Sequence, residues 1–349
     1  MRLASIRLAV GGVALALGLT ACSGAVGGAP VQVLVPRGAS TAQVADSLAH
    51  DGVIRNAKYF RIYVALRGGD RGLRAGTYLL RKDEGFGRIL ATLRGGKGVV
   101  AVVPVIEGYT ISQITPLLVA RLHVSAASVD SAVRDTALLR ELDLPTATLE
   151  GYLYPDTYIF PRGTPAREAV LTMVRRFEEV WQPAWTERLD TLKMSRNDVM
   201  TLASIVEKED KLPEERPVIA AVYMNRLRDG VLLQADPTVQ YALGYHTPRV
   251  TFKDLQIESP YNTYKHPGLP PGPIASPSRP SILAALYPAQ VPFEFFVAFP
   301  DGHHEFRKTF AEHNVAVAAS RRAWDSVATV RRADSARAGS AGAPGGTRR

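Results

Sequence analysis

Apolar and polar positions run along this chain in two rhythms. A period of two marks "VQVLVP" (31–36) and "AGTYLL" (75–80) as strands. Between them, "STAQVADSLAHDG" (40–52) opens on a serine cap and ends at a glycine, and "NAKYFRIYVALRGG" (56–69) forms a second helical segment. "GFGRILATLRGGKG" (85–98) is a third helix, also ended by glycine. The order strand, helix, helix, strand and helix describes a small module over 31–98. "VVAVVPVIEG" (99–108) then opens a larger region with a buried type of strand, followed by mostly helical sequence to about Leu243. Near the other end, "FEFFVAFPDGHHEFRKTF" (293–310) reads as two strands around Asp301-Gly302, a strong hairpin signal. The fold class is α+β: a small β-α-α-β module, then a mostly helical domain with a C-terminal β-hairpin.

One helical segment carries unusual chemistry. "SRND" gives Ser195 and Asp198 the spacing of an N-terminal capping box, and "LASIVEKE" (202–209) follows. At helical periodicity Val199, Leu202, Ala203 and Val206 form an apolar face. Glu207 lies on one flank beside Met200 and Ser204, Glu209 on the other near Leu202 and Ile205, leaving Thr201, Ser204 and Lys208 as the wet side. A carboxyl on such an edge is either a solvated surface group or a partly dehydrated one suited to passing a proton.

The start of the chain adds a compartment. Arg2 and Arg7 precede an uncharged apolar stretch over about 8–21. That is shorter than the ~20 apolar residues that span a bilayer, and it has the layout of a secretory signal. It ends in "LTAC", which resembles the lipobox of bacterial lipoproteins, and Cys22 is the only cysteine, so no internal disulfide forms. The net charge of +9 points at first to nucleic acid. From Ser320 onward, however, seven arginines face two aspartates, and Arg2 and Arg7 account for half of the remaining excess, leaving the body at about +2. The basicity belongs to the ends, and nucleic acid is set aside. The tail over 320–349 is poor in large apolar residues and reads as disordered.

Standard catalytic signatures are missing: there is no phosphate loop, no G-x-S-x-G elbow, no S-x-x-K and no H-E-x-x-H. His303, His304 and His313 fit no standard metal spacing. What remains is a series of distinctive segments: "LEGYLYPDTYIF" (149–160), "LASIVEKE", "NRLRDGVLLQADPTVQYALG" (225–244), "ESPYNTYKHPGLPPGPIASPS" (258–278) and "EFFVAFPDGHHEFRKTFAEHN" (294–314). Gln234, Asp236 and Thr238 offer polar groups to sugar hydroxyls, or else Asp236-Pro237 only starts a helix. Ser259, Asn262 and Thr263 are further hydrogen-bonding groups, and Tyr261 and Tyr264 offer stacking faces on a loop stiffened by "GLPPGP". Glu150 and Asp156 serve either the site or the framework.

Taken in order, these segments resemble the endolytic murein transglycosylase family, also called MltG or YceG-like, from about Val31 to Asn314. The resemblance implies a LysM-like module over 31–98 and a catalytic domain over 99–319, behind a signal peptide (1–21) and a linker (22–30). It implies cleavage of the β-1,4 bond between N-acetylmuramic acid and N-acetylglucosamine in peptidoglycan, leaving a 1,6-anhydro end, with the first glutamate of "VEKE", Glu207, as the acid and base. It implies no cofactor and no metal. It names glycan strands as the partner, and peptidoglycan synthases where the enzyme terminates strands, while the lipobox-like "LTAC" places the chain on the membrane through lipid on Cys22. Glu209 is expected in an ion pair or a supporting role. The chain departs from the family in its anchor, a lipid in place of a membrane helix, so the choice between inner and outer membrane stays open. Two alternatives stay open as well: a hydrolytic muramidase using Asp236 or Glu258 to activate water, and a glycan-binding lipoprotein without catalysis.

Overall fold

The computed structural model describes residues 30–341, apart from 37, 70–71, 83, 96–99, 246 and 248–249, and of 331–341 only the backbone. The chain divides into two compact units between Val99 and Val100.

In the first unit β1 (Pro30–Val35), α1 (Thr41–His50), α2 (Ala57–Leu66), β2 (Gly76–Arg81) and α3 (Phe86–Gly95) follow in the order the pattern predicts. β1 and β2 pair antiparallel with Val33 opposite Tyr78. Ser40 closes a capping box with Gln43, and the Asn56 side chain accepts the N–H groups of Lys58 and Tyr59. Each helix therefore starts where an oxygen satisfies the free backbone donors. Val33, Leu48, Phe60, Tyr78, Ile89 and Leu93 are completely buried and form the core.

The second unit begins with β3 (Val100–Pro104), then α4 (Ile111–Leu122), α5 (Ala126–Val133) and α6 (Thr136–Glu141). β4 (Thr157–Pro161) returns antiparallel to β3 with Ile159 opposite Val102. α7 (Ala166–Val180), α8 (Pro183–Leu192), α9 (Arg196–Glu209), α10 (Arg216–Arg228), α11 (Asp236–Leu243) and α12 (Arg279–Leu286) follow. β5 (Phe295–Ala298) and β6 (His304–Arg307) form the hairpin, with Phe296 opposite Phe306. α13 (Phe310–Ala341) closes the described chain.

Helix α9 is the axis of this unit: α8, α10, α11 and α12 all pack on it. Thr201 and Ser204, expected on a wet side, are fully buried. Their hydroxyls turn back onto the helix, Thr201 donating to the Asn197 carbonyl and Ser204 to that of Thr201, each at 2.7 Å. Such local bonds satisfy the donor of a hydroxyl inside a core. Beside α9 an aromatic row runs from Tyr152 through Phe177 and Trp181 to Trp185, with centroid spacings of 5.1, 5.8 and 5.5 Å.

The tail differs from expectation. Residues 320–341 continue α13, where the sequence reading places disorder. The alanine-rich composition favours helix, and the helix is nucleated by a docked first part. There Ala316 and Ser320 are buried, and the Ser320 hydroxyl donates to the Ala298 carbonyl at 2.7 Å. Among the described residues no helix is long and apolar enough to cross a membrane. The signal-like segment and Cys22 lie outside those residues.

Candidate active site

Glu207 sits in the last turn of α9, half-buried. The helix reaches this point because Ser195 and Asp198 form the predicted capping box at its other end. One oxygen of Glu207, Oε2, accepts three hydrogen bonds from the start of α12: the Ser278 N–H at 2.9 Å, the Ser278 hydroxyl at 2.5 Å and the Ser281 hydroxyl at 2.7 Å. Among the described residues no donor reaches the other oxygen, Oε1. The carboxyl thus has one anchored oxygen and one left for a ligand. Helix N-termini carry unpaired N–H groups and a positive dipole end, so a carboxylate is well placed there.

The loop before α12 is fixed to match. The Ile274 N–H donates to the Ser204 hydroxyl at 3.0 Å, from the middle of α9. Ser276 exchanges two backbone bonds of 2.8 Å with Gly108 and Tyr109, between β3 and α4. Gly108 has a φ of +73°, and a Cβ there would lie 3.6 Å from Glu207 Cγ, so this loop lies against the glutamate's stem. Lys208 Nζ holds the loop by donating to the Gly108 carbonyl at 3.3 Å. Gly151 is tighter still: a Cβ would come within 2.3 Å of Pro273, so only glycine lets these segments meet.

Glu209, two residues on, has a different environment. Its carboxyl is enclosed and accepts the Tyr223 hydroxyl at 2.8 Å. Burial, reinforced by the nearby Asp236 charge and opposed by Tyr223 and Arg226, pushes it up to about 7. Arg226 is buried too, its guanidinium donating to the carbonyls of Glu294 (2.6 Å) and Leu233 (2.7 Å) and lying over Phe295. Burial also raises Glu150 to about 7. Both its oxygens accept the Ile111 N–H at the start of α4, at 3.0 and 3.2 Å, and Tyr241 donates to Oε2 at 3.3 Å. Glu150 is a framework residue by this geometry, as is Asp156, held by Arg176 at 2.8 Å.

The expected sugar-contacting residues divide. Gln234 is exposed at a strained φ of +48°, with its N–H on the Thr263 carbonyl. Asp236 starts α11 and accepts the Tyr264 hydroxyl at 2.6 Å, which fixes one carboxylate oxygen. Tyr261 packs against Tyr241 at 4.8 Å, and half-buried Ser259 accepts the Tyr261 N–H. These five remain accessible in some part. Thr238, Asn262 and Thr263 do not, being at most 1% exposed, and the expectation of direct sugar contact is corrected for them. The Thr263 hydroxyl accepts the Ala235 N–H and pairs with Thr238, while the Asn262 amide donates to the carbonyls of Leu255 and Ile257. They build the loop that carries Tyr261 and Tyr264.

Two further expectations are settled by geometry. Glu258 is largely exposed and paired with Lys265 at 2.5 Å, outside any dehydrated site. His304 is buried and its Nδ1 lies 2.7 Å from Glu215, while His303 stacks on Phe299 and meets Asp301. The residues that sequence reasoning missed are Ser278 and Ser281. Their signal was present: in "SRPSILAAL" a serine precedes a proline and an apolar run, the mark of a helix start. What the sequence does not display is that this start faces a glutamate 71 positions earlier.

A family profile described as the YceG-like family matches residues 33–319. An endolytic murein transglycosylase of Bacillus subtilis is 35% identical over 301 residues, covering 82% of this chain and 83% of that protein. One from Streptococcus pneumoniae is 26% identical over 322 residues, covering 81% of this chain and 58% of that longer protein. The crystal structure of a yceG-like protein from Listeria monocytogenes superposes with a TM-score of 0.60 at 35% identity, over 82% of this chain and 98% of that one.

Proposed function

The chain belongs to the YceG-like family, and on that premise we propose that it is an endolytic murein transglycosylase, cutting peptidoglycan glycan strands between N-acetylmuramic acid and N-acetylglucosamine. The observation that carries the mechanism is the divided carboxyl of Glu207. With Oε2 held by Ser278 and Ser281, Oε1 faces outward and takes the proton-transfer role. In the first half of the reaction Oε1 gives its proton to the bridging oxygen as the glycosidic bond breaks. In the second half the same carboxylate accepts the proton of the sugar's 6-hydroxyl as that oxygen closes on the anomeric carbon. No water enters, and the new end is a 1,6-anhydro sugar. Because the nucleophile belongs to the substrate, proximity replaces the activated water that a two-carboxylate glycosidase needs.

To Asp236, with one oxygen fixed by Tyr264, this reading gives the role of balancing positive charge developing on the sugar ring. Gln234, Ser259 and Tyr261 supply surface for flanking sugars. The first unit is a LysM-like module that keeps the enzyme on glycan, and the physiological role is to end strands made by peptidoglycan synthases. Cys22 carries the lipid that anchors the chain; a fatty-acid probe should label the wild type and leave Cys22→Ala unlabelled, and an unlabelled wild type would remove the anchor from this reading.

The reaction is tested by digesting purified glycan strands in heavy-oxygen water. The expected products are lighter by one water than hydrolytic ones and carry no heavy oxygen at the new end. Label at that end would identify a muramidase instead.

A further inference from the structure

At the end of α9 remote from Glu207 lies a cavity of about 1080 Å³. None of the residues discussed above as sugar contacts lines it. Its walls are the start of α9 (Ser195, Asn197, Asp198), the second half of α10, and two proline-rich segments over 269–271 and 288–292. Prolines fix the backbone of these walls, so the cavity is preformed and costs little to order.

Its chemistry is mixed. Met194, Met224, Leu227 and Leu269 give an adaptable apolar surface suited to small side chains. Arg188 lies on the Tyr287 ring at 5.2 Å with Nε on the Leu286 carbonyl, leaving two guanidinium nitrogens without a protein acceptor among the described residues. Asp198 uses Oδ2 for the Ser195 cap and has Oδ1 left over. The cavity therefore offers a cation that can receive a carboxylate, an anion that can receive an ammonium, and apolar walls between them. Asn197 and Asn225 are already committed to backbone carbonyls of the walls, so they shape the cavity and leave recognition to the charged pair.

The same elements reach the catalytic glutamate. α9 runs from the cavity to Glu207, and α12 runs from Ser278, on Glu207, toward the wall at 288–292. The twelve residues from Ser195 to Glu207 rise about 18 Å. A peptide of four or five residues, fully extended, spans about 13 to 18 Å.

We propose that this cavity binds the peptide stem of peptidoglycan, a short chain of small apolar residues with a free carboxylate and an amine, while the sugar to which it is attached lies at Glu207. The proposal rests on the glycan-cleaving reading and adds a substrate feature to it: a strand bearing stems is gripped at two places, a bare strand at one.

The test is calorimetric titration of the full chain with the soluble tetrapeptide L-Ala-γ-D-Glu-L-Lys-D-Ala. Saturable binding is expected, weakened about tenfold by Arg188→Glu through loss of a charge-assisted pair. Ala289→Trp, which narrows the cavity at its 288–292 wall, should weaken it as well. A tetrapeptide with its glutamate carboxylate amidated should also bind more weakly than the parent. Glu207→Gln should bind like the wild type. Wild-type protein that shows no saturable binding up to about 1 mM, or binding that survives both cavity variants, overturns the site. Product analysis on stem-bearing strands then separates the two readings. Cleavage without peptide binding removes the stem site alone, whereas peptide binding without cleavage removes the enzyme.

Discussion

Glu207→Gln is the substitution that isolates the chemistry from the fold. The glutamine carbonyl oxygen can take the place of Oε2 and accept the same three donors, the Ser278 N–H, the Ser278 hydroxyl and the Ser281 hydroxyl, now 2.9, 2.5 and 2.7 Å away. The amide nitrogen then takes the place of Oε1, where it has the shape of the acid and no proton to exchange. Replacing charge-assisted bonds by neutral ones costs roughly 1 kcal/mol each at most, so the variant should fold. Loss of one general acid/base lowers the rate about 100- to 10,000-fold, or about 2.7 to 5.5 kcal/mol of barrier. The upper end is expected, because the same group acts in both halves of the reaction. KM should change little, since the hydrogen bonds that shape the site persist. The assay is release of soluble fragments from purified strands, with kcat and KM measured separately. A variant keeping more than about a tenth of wild-type kcat would refute the assignment, and a dead Glu209→Gln beside a live Glu207→Gln would move it to the other glutamate.

Three further outcomes follow from the same contacts. Ser278→Ala with Ser281→Ala removes two of the three donors to Oε2 and the α12 cap; kcat should fall about 10- to 100-fold while the chain loses about 1 to 3 kcal/mol, measured by kinetics and denaturant unfolding, and unchanged kcat would show that Glu207 needs no anchoring. Burial holds Glu209 and Glu150 protonated up to about 7, whereas the unfolded chain releases these protons near the ordinary carboxyl value. Stability therefore falls as pH rises from the unfolded value through about 7, by on the order of 2 to 3 kcal/mol per group. Glu209→Gln should flatten that fall in thermal melts, and a wild type whose melting temperature climbs steadily over the same range would contradict it. Truncation after Ala323 keeps the buried Ala316 and Ser320 of α13 and should leave turnover of soluble glycan nearly unchanged; a large loss in a folded protein would bring the end of α13 into the site.

Legibility in the sequence followed the range of each interaction. The Ser195–Asp198 cap, the hairpin turn at Asp301-Gly302 and the strand-helix-helix-strand order are local, and each was readable within a few residues. The burial of α9 on all sides was not, because its two hydroxyl residues donate back to their own helix and the outside partner of Ser204, the Ile274 N–H, comes from 70 positions away. Thr238, Asn262 and Thr263 look like sugar-binding groups for a similar reason: the short polar side chains that hold a loop are the same types that hold a sugar. Only the partner atoms, supplied from up to 28 positions away, distinguish them. The helix through Ala341 was hidden by composition, since alanine and arginine suit both a solvated helix and an unstructured tail.

The two glutamates of α9 show why donors, more than acidity, decide which one works on substrate. Both lie in the last turn, where the helix's own dipole is unfavourable to negative charge by about 0.3 to 1 kcal/mol. Glu207 meets the opposite end of a second helix, and each charge-assisted bond to Oε2 is worth about 1.5 to 3 kcal/mol, so the local environment outweighs the dipole. Glu209 has one hydroxyl donor and the Asp236 charge nearby, and burial keeps it protonated. By acidity alone Glu209 would be the proton donor. Its carboxyl is held by a single hydroxyl, that of Tyr223, however, and a proton donor must be fixed on the bridging oxygen before its acidity matters. A proton shuttle also has to alternate between two forms without moving, which requires one oxygen tied down and one free. Both glutamates have one bonded oxygen, but only that of Glu207 is tied by three donors, and the serines at the start of α12 supply them.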